Sequence, residues 1–223
     1  MDKDEYYRDI LEGLSVWFTS SVIEDILITV SEFDAPDLSN ALNKNQITAK
    51  KWLADQLHRA IGTDLGIVYV LGGWYGVLAA ILLHDHRLNI SAVVSVDKDP
   101  RCRSVAESVN RTHLADHKFR AITADMSALN YDELLSRKPA NRPPDVLINT
   151  SCEHIGDFAQ WYDRIPAHTL QVLQSNNYYA CSEHTNCVAD LESFRRQTPM
   201  RDVLFAGSLQ LKKYTRFMLI GRR

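Results

Sequence analysis

Val68-Tyr69-Val70-Leu71-Gly72-Gly73-Trp74-Tyr75-Gly76-Val77-Leu78-Ala79-Ala80 decides how this chain of 223 residues folds. The β-branched run over 67–71 predicts a buried strand, and two glycines break it. An apolar, alanine-bearing helix then starts near Gly76 and runs towards His84. Strand, glycine turn and helix in that order open a nucleotide-binding α/β unit. Glycine lets the backbone approach a ligand closely, and the helix N-terminus offers free N–H groups to its polar end. The strand predicted over 90–96 runs into Asp97, about 20 residues beyond the glycines, where such units place an acid on a ribose hydroxyl pair.

Downstream the alternation continues. Pro100 opens a helix over 101–115, a third strand follows at 119–122, and a short helix after Asn130-Tyr131-Asp132 runs to about residue 138. A loop over 139–144 leads to a strand at 145–149, a helix at 157–165 and a strand at 169–173. A polar loop, 174–187, precedes a helix at 188–197, and the chain closes as a hairpin of 203–211 and 214–220 around Lys212-Lys213. Strands alternating with helices force a parallel sheet with right-handed crossovers, and ligands lie outside the strands' carboxyl ends. The fold class expected is α/β, doubly wound. A mostly parallel seven-stranded sheet carries a C-terminal antiparallel hairpin and an N-terminal helical extension.

Upstream, helices are predicted over 4–14 and 20–33, the second from Val22, Ile23, Ile26, Leu27 and Val30 at helical spacing. Ala35-Pro36-Asp37 breaks it, and a further helix over 48–61 presents Trp52, Leu53, Leu57 and Ile61 before the stop at Gly62. The expected division is an extension over 1–45 and a Rossmann-like domain over 46–223. The apolar stripe of helix 20–33 must be covered, which predicts a lid over the strand ends with that helix beside the substrate pocket.

Hydrophobic residues make up 45%, enough for one domain with a sizeable core. Residues 1–40 hold ten acidic side chains against Lys3 and Arg8, so 41–223 carry +5 within a chain of −3. Spread along a domain, that excess is no nucleic-acid footprint, and its densest part near Lys212, Lys213, Arg216, Arg222 and Arg223 reads as solvated strand ends. Four cysteines do not suggest a disulfide framework, and Cys102 reads as an inert residue on a surface helix. No apolar run approaches the roughly 18 residues of a membrane span, and no leading apolar region marks a signal peptide, so a soluble cytoplasmic protein is expected.

Taken together, Leu71-Gly72-Gly73-Trp74-Tyr75-Gly76 after the first strand, Asp97 ending the second, Ala124-Asp125-Met126 after the third and Asn149-Thr150-Ser151 after the fourth carry a resemblance. Across about residues 45–223 the chain resembles the class I S-adenosylmethionine-dependent methyltransferases. The resemblance implies S-adenosylmethionine (SAM) as cofactor. It places Gly72, Gly73 and Gly76, with Trp74 and Tyr75, around the methionine part. It sets Asp97 on the ribose, Asp125 with Met126 at the adenine edge, and Asn149 near the methionine amino group. Two positions depart from the family pattern. Val70 replaces the usual acid before the turn, and Trp74 stands where the middle glycine is usual, which narrows the pocket. Against a nicotinamide cofactor, the turn lacks the G-x-G-x-x-G spacing that a pyrophosphate needs.

Chemistry is expected after the fourth and fifth strands, in Asn149-Thr150-Ser151-Cys152-Glu153-His154 and in Gln174-Ser175-Asn176-Asn177-Tyr178 leading to Ser182-Glu183-His184-Thr185-Asn186-Cys187. In one reading Glu153 or His154 is a general base, Gln174, Asn176 and Asn177 orient the substrate, Tyr178 covers it, and His184 joins them. Tyr179 shares the aromatic reading, whereas Trp161, Tyr162 and Phe194 read as packing. A metal site of Cys152, His154, Cys181, His184 and Cys187 is the second reading, but close C-x2-C pairs are missing and no metal is expected. In the third, these side chains only satisfy loop backbone and cap helices.

The activity implied is methyl transfer to a small molecule by a monomer or homodimer, without nucleic acid or membrane. Alternatives are an enzyme that cleaves or cyclises SAM, a non-enzymatic binding module, and a tRNA or DNA methyltransferase. For the last, Thr150-Ser151-Cys152 replaces the two prolines and the aromatic that grip a flipped base.

Overall fold

The first strand of the glycine unit, β1 (Asp64–Leu71), lies inside a seven-stranded sheet with β2 (Asn89–Asp97), β3 (Phe119–Thr123), β4 (Val146–Asn149), β5 (Leu170–Asn176), β6 (Asp202–Gln210) and β7 (Thr215–Arg222). The strand order is β3-β2-β1-β4-β5-β7-β6. Strands β1 to β5 pair in parallel, and β7 enters antiparallel between β5 and β6. The structure, a computed structural model, describes residues 9, 10, 13, 20–33, 37–135 and 145–223. Most of the helix expected over 4–14, the break at residues 35 and 36 and the loop expected over 139–144 lie outside the described residues.

Alternation along the strands builds two apolar layers. Val68 and Val70 of β1 and Met218 and Ile220 of β7 face one cluster, which contains Val22 and Ile26 of α1 (Ser20–Glu32), Leu53 and Leu57 of α3 (Lys44–Ile61), most of α4 (Val77–His84) and Val105 of α5 (Pro100–Val109). Tyr69, Leu71, Phe217 and Leu219 face the other, with Tyr131 of α7 (Tyr131–Leu135), Phe158, Trp161 and Tyr162 of α8 (Phe158–Asp163) and Phe194 of α9 (Leu191–Gln197). The doubly wound α/β class read from the sequence is the observed one.

Several elements differ from expectation, each for a local reason. Helix α3 begins at Lys44, because Asn43 accepts the Gln46 N–H as its N-cap. It therefore runs across the division expected at residue 45. The helix expected over 101–115 is two, α5 and α6 (Arg111–Ala115), joined at the fully buried Asn110. Cys102 lies on the buried side of α5, and burial pushes its thiol up to about 12. The fifth strand extends to Asn176, so Gln174, Ser175 and Asn176 are buried strand residues, not loop.

Helix α1 packs on α5 and α6, with the Thr29 hydroxyl donating to Ser108 Oγ and Asp25 accepting from the Thr112 N–H and hydroxyl. That places it against the helical layer, away from the strand ends where a lid was expected. Residues 37–50, including α2 (Leu38–Ala41), reach the strand ends instead.

Register determines what meets at the carboxyl edge. Leu71 pairs with both Val96 and Asn149, and Asn149 with Leu173, so β5 continues three residues past its neighbour. Because β7 is antiparallel, Asn176 is opposite Arg216, and the start of β7 arrives at the end of the parallel strands.

Candidate active site

One cavity of about 1190 Å³ opens at this edge and reaches from the glycine turn to the start of β7. The turn itself is tightly determined. Gly72 and Gly76 have φ of 64° and 71°, and Trp74 has φ of 48°, a left-handed conformation that a bulky residue adopts only under strain. A Cβ on Gly73 would lie 1.9 Å from Ser95 Oγ on the neighbouring strand. A larger residue there would have to push the Ser95 hydroxyl aside and press on its Cβ, so glycine fits the close packing onto β2.

Asp97 holds the turn from the other side. Its carboxylate accepts the Trp74 N–H at 2.8 Å and the Asp99 N–H at 3.0 Å, leaving lone pairs for hydroxyl donors at the cavity. Trp74 stacks on Tyr75 at 5.2 Å between ring centroids, and both line the cavity. Gly76 does not. It sits behind the turn, where the Asn110 side chain donates to its carbonyl and fixes the start of α4.

Asp125 and Met126 line the cavity beside the turn. The Met126 carbonyl accepts from Tyr131 Oη, which in turn accepts from Trp161 Nε1, so a buried relay sets this wall. Asn149, fully buried, accepts the Ser151 N–H and donates towards Met126 Sδ. It stands outside the cavity lining and shapes the wall from behind.

The opposite half of the cavity is polar. The two loops that form it are stapled together: the Asn186 N–H donates to the Glu153 carbonyl and its side chain to the Cys152 carbonyl. Glu153, in a 3₁₀ turn (Cys152–His154), is 2% exposed. Its Oε1 accepts from Asn176 Nδ2 at 2.5 Å and faces the Arg216 guanidinium at 3.5 Å, while Oε2 is buried with no hydrogen-bond partner among the described residues. His154 and His184 meet edge to face at 4.6 Å. His154 is accessible yet lies inside the concave mouth. Desolvation there lowers its pKa, Glu153 opposes the shift, and His184 adds to it. Tyr178 lines the same wall beside His184 and Tyr214.

Glu153, His154, Asn176, Tyr178 and His184 are thus gathered at one cavity. Asn177 and Gln174 are not. The Asn177 side chain accepts the Thr215 N–H, securing the β5–β7 join, and Gln174 is buried beneath the site, donating to Met218. Tyr179 points outward, 63% exposed. The five-residue metal set does not assemble either, because Cys152 is fully buried in the apolar layer and burial holds its thiol well above the usual range.

Two cationic side chains escaped the sequence reading. Arg216, expected at a solvated strand end, is 5% exposed; it donates to the Thr150 carbonyl, and although burial opposes its charge, Glu153 and Tyr214 together raise its pKa. The signal was available: an arginine directly before Phe217-Met218-Leu219-Ile220, on a strand whose antiparallel entry delivers it to the ligand edge. Lys50 donates to Gln46 and faces the cavity, and desolvation, followed by the nearby Arg216, lowers its pKa to about 7. It stands between Ile47 and Leu53 on the inward stripe of α3, where a lysine breaks the helical period.

No known family model and no curated protein matches the sequence. Solved structures do match the fold. Magnesium protoporphyrin IX methyltransferase (ChlM) from Synechocystis PCC 6803 with bound SAH superposes over 100% of both chains at 11% identity, TM-score 0.58. The N-methyltransferase NodS from Bradyrhizobium japonicum WM9 in complex with S-adenosyl-L-homocysteine covers 88% of this chain and 98% of its own at 11% identity, TM-score 0.57. The [4+2]-cyclase SpnF covers 80% and 82% at 11% identity, TM-score 0.56. The chain has the fold of the class I SAM-dependent methyltransferases.

Proposed function

We propose that this protein is a SAM-dependent methyltransferase acting on a small molecule. The observation that carries the proposal is the continuity of a single cavity. Gly72, Gly73, Asp97, Asp125 and Met126 line one end, and Glu153, Asn176, Tyr178, Lys50 and Arg216 line the other. A volume of about 1190 Å³ takes the cofactor and leaves room for a small acceptor.

The sulfonium methyl is already activated, so the protein's main task is to hold an acceptor atom in line with the C–S bond. A protonated acceptor must also lose a proton. Lys50, with its pKa near neutrality, is the base in this reading. SAM, when bound, would supply the activated methyl group, and the Lys50 amine would take the proton that a protonated acceptor loses. Glu153 is occupied by Asn176 and Arg216 and serves to position the site. The segment 37–50, of which Asp37, Asn40, Asn43, Gln46 and Lys50 are among the cavity-lining residues, acts as the lid in place of helix α1.

The test is product analysis with methyl-labelled SAM and a fractionated metabolite extract. S-adenosylhomocysteine with label in a small molecule is expected. Methylthioadenosine would indicate cofactor cleavage or cyclisation, and calorimetric binding of S-adenosylhomocysteine without any turnover would leave a binding module.

A further inference from the structure

We infer that Glu153, His154 and His184 form a binding site for a divalent transition-metal ion at the acceptor end of the cavity. One ligand atom from each, a carboxylate oxygen and two imidazole nitrogens, lies within 4.8 Å of the others. Such a separation lets one ion contact all three after small side-chain shifts.

Three further features point the same way. Glu153 is almost fully buried, and its Oε2 has no hydrogen-bond partner among the described residues, an orphan acceptor that a cation satisfies. His184 Nδ1 lies 2.9 Å from the Tyr178 carbonyl, which only accepts, so Nδ1 carries the proton and Nε2 keeps its lone pair. An imidazole oriented by a backbone carbonyl is how metal sites fix their ligands. The His154 ring meets that of His184 edge to face, 4.6 Å between centroids. Cys187, whose thiol contacts His184 on the Nδ1 side, is not required.

Donor chemistry narrows the ion. Two nitrogens and one carboxylate suit zinc, cobalt or iron in the divalent state better than magnesium or calcium, which prefer all-oxygen shells. Charge narrows the substrate. Glu153 is already matched by Arg216, so the ion's two positive charges await an anionic ligand. His154 and His184 line the cavity, so the ion's remaining positions open towards the acceptor. An acceptor with an acidic oxygen, such as a phenolate, hydroxamate or carboxylate, completes the shell. Only this substrate assignment rests on the methyltransferase reading; the metal site does not.

Titrating chelator-stripped full-length protein with Co²⁺, without SAM, tests the site directly. One equivalent with a visible ligand-field band is expected, and His154→Ala and His184→Ala should each weaken binding by at least about tenfold at an unchanged thermal midpoint. Glu153→Gln adds to this only if folded, since it unpairs Arg216. Cys187→Ser should bind as wild type. Absence of a stoichiometric band, or Co²⁺ binding unchanged in both histidine variants, overturns the site and leaves methyl transfer untouched. A labelled product formed by the chelator-stripped protein at the rate of the Co²⁺-loaded protein overturns the substrate assignment alone.

Discussion

Lys50 shows how a single side chain ties stability to activity. Unfolded, it keeps its proton up to its ordinary 10.5; folded, it releases it at about 7. Between those values the unfolded chain binds more protons, so stability rises with pH across that window, and the cost of the half-buried charge is fully present below about pH 7. Lys50→Met removes that charge and keeps the aliphatic length. At pH 6 it should raise stability by roughly 1–3 kcal/mol, the usual cost of an imperfectly compensated buried polar group, with the gain shrinking towards pH 10. Turnover should fall about 10²-fold or more, while the wild-type rate climbs as pH passes 7 and Lys50 becomes neutral. Denaturant titrations and rate profiles over pH 6–10 check both. A destabilised variant with normal turnover would make Lys50 a packing residue.

Among the elements, the glycine turn and the strand after it were the most legible part of the sequence, because their constraints are local. A β-branched run, two glycines and a helix read directly as backbone geometry. Gly73 shows the strength of that constraint, since its hydrogen faces Ser95 on β2, which is 2% exposed. Gly73→Ala should cost about 1–3 kcal/mol through overpacking and weaken S-adenosylhomocysteine by displacing the turn from Asp97. Denaturation and calorimetry on the same samples give both numbers, and an unchanged affinity would detach the turn from the cofactor. Less legible was anything that depends on register. Gln174, Asn176 and Asn177 look alike as a polar run, but β5 turns Asn176 to the cavity, buries Gln174 under it and spends Asn177 on β7. Arg216 was hidden for the same reason, because only the antiparallel insertion of β7 brings it opposite Asn176.

At the scale of the whole molecule, the region before β1 has two jobs. The stripe of Val22, Ile26 and Val30 correctly announced a buried helix but not its docking surface, since an apolar face specifies burial without naming a partner. Its position on α5 and α6 secures the corner at Asn110, which holds the Gly76 carbonyl, while residues 37–50 border the cavity. The two parts should therefore fail differently. Ile26→Ala opens a cavity in the first apolar layer and should cost about 2–5 kcal/mol, with acceptor KM unchanged at temperatures where the protein is folded. Gln46→Ala removes the partner of Lys50 on the cavity wall and should raise KM or lower kcat with a stability change of about 1 kcal/mol. Thermal midpoints and steady-state kinetics of both variants separate these outcomes. A rise in KM for Ile26→Ala without loss of stability would return helix α1 to the substrate pocket and remove residues 37–50 from the role of lid.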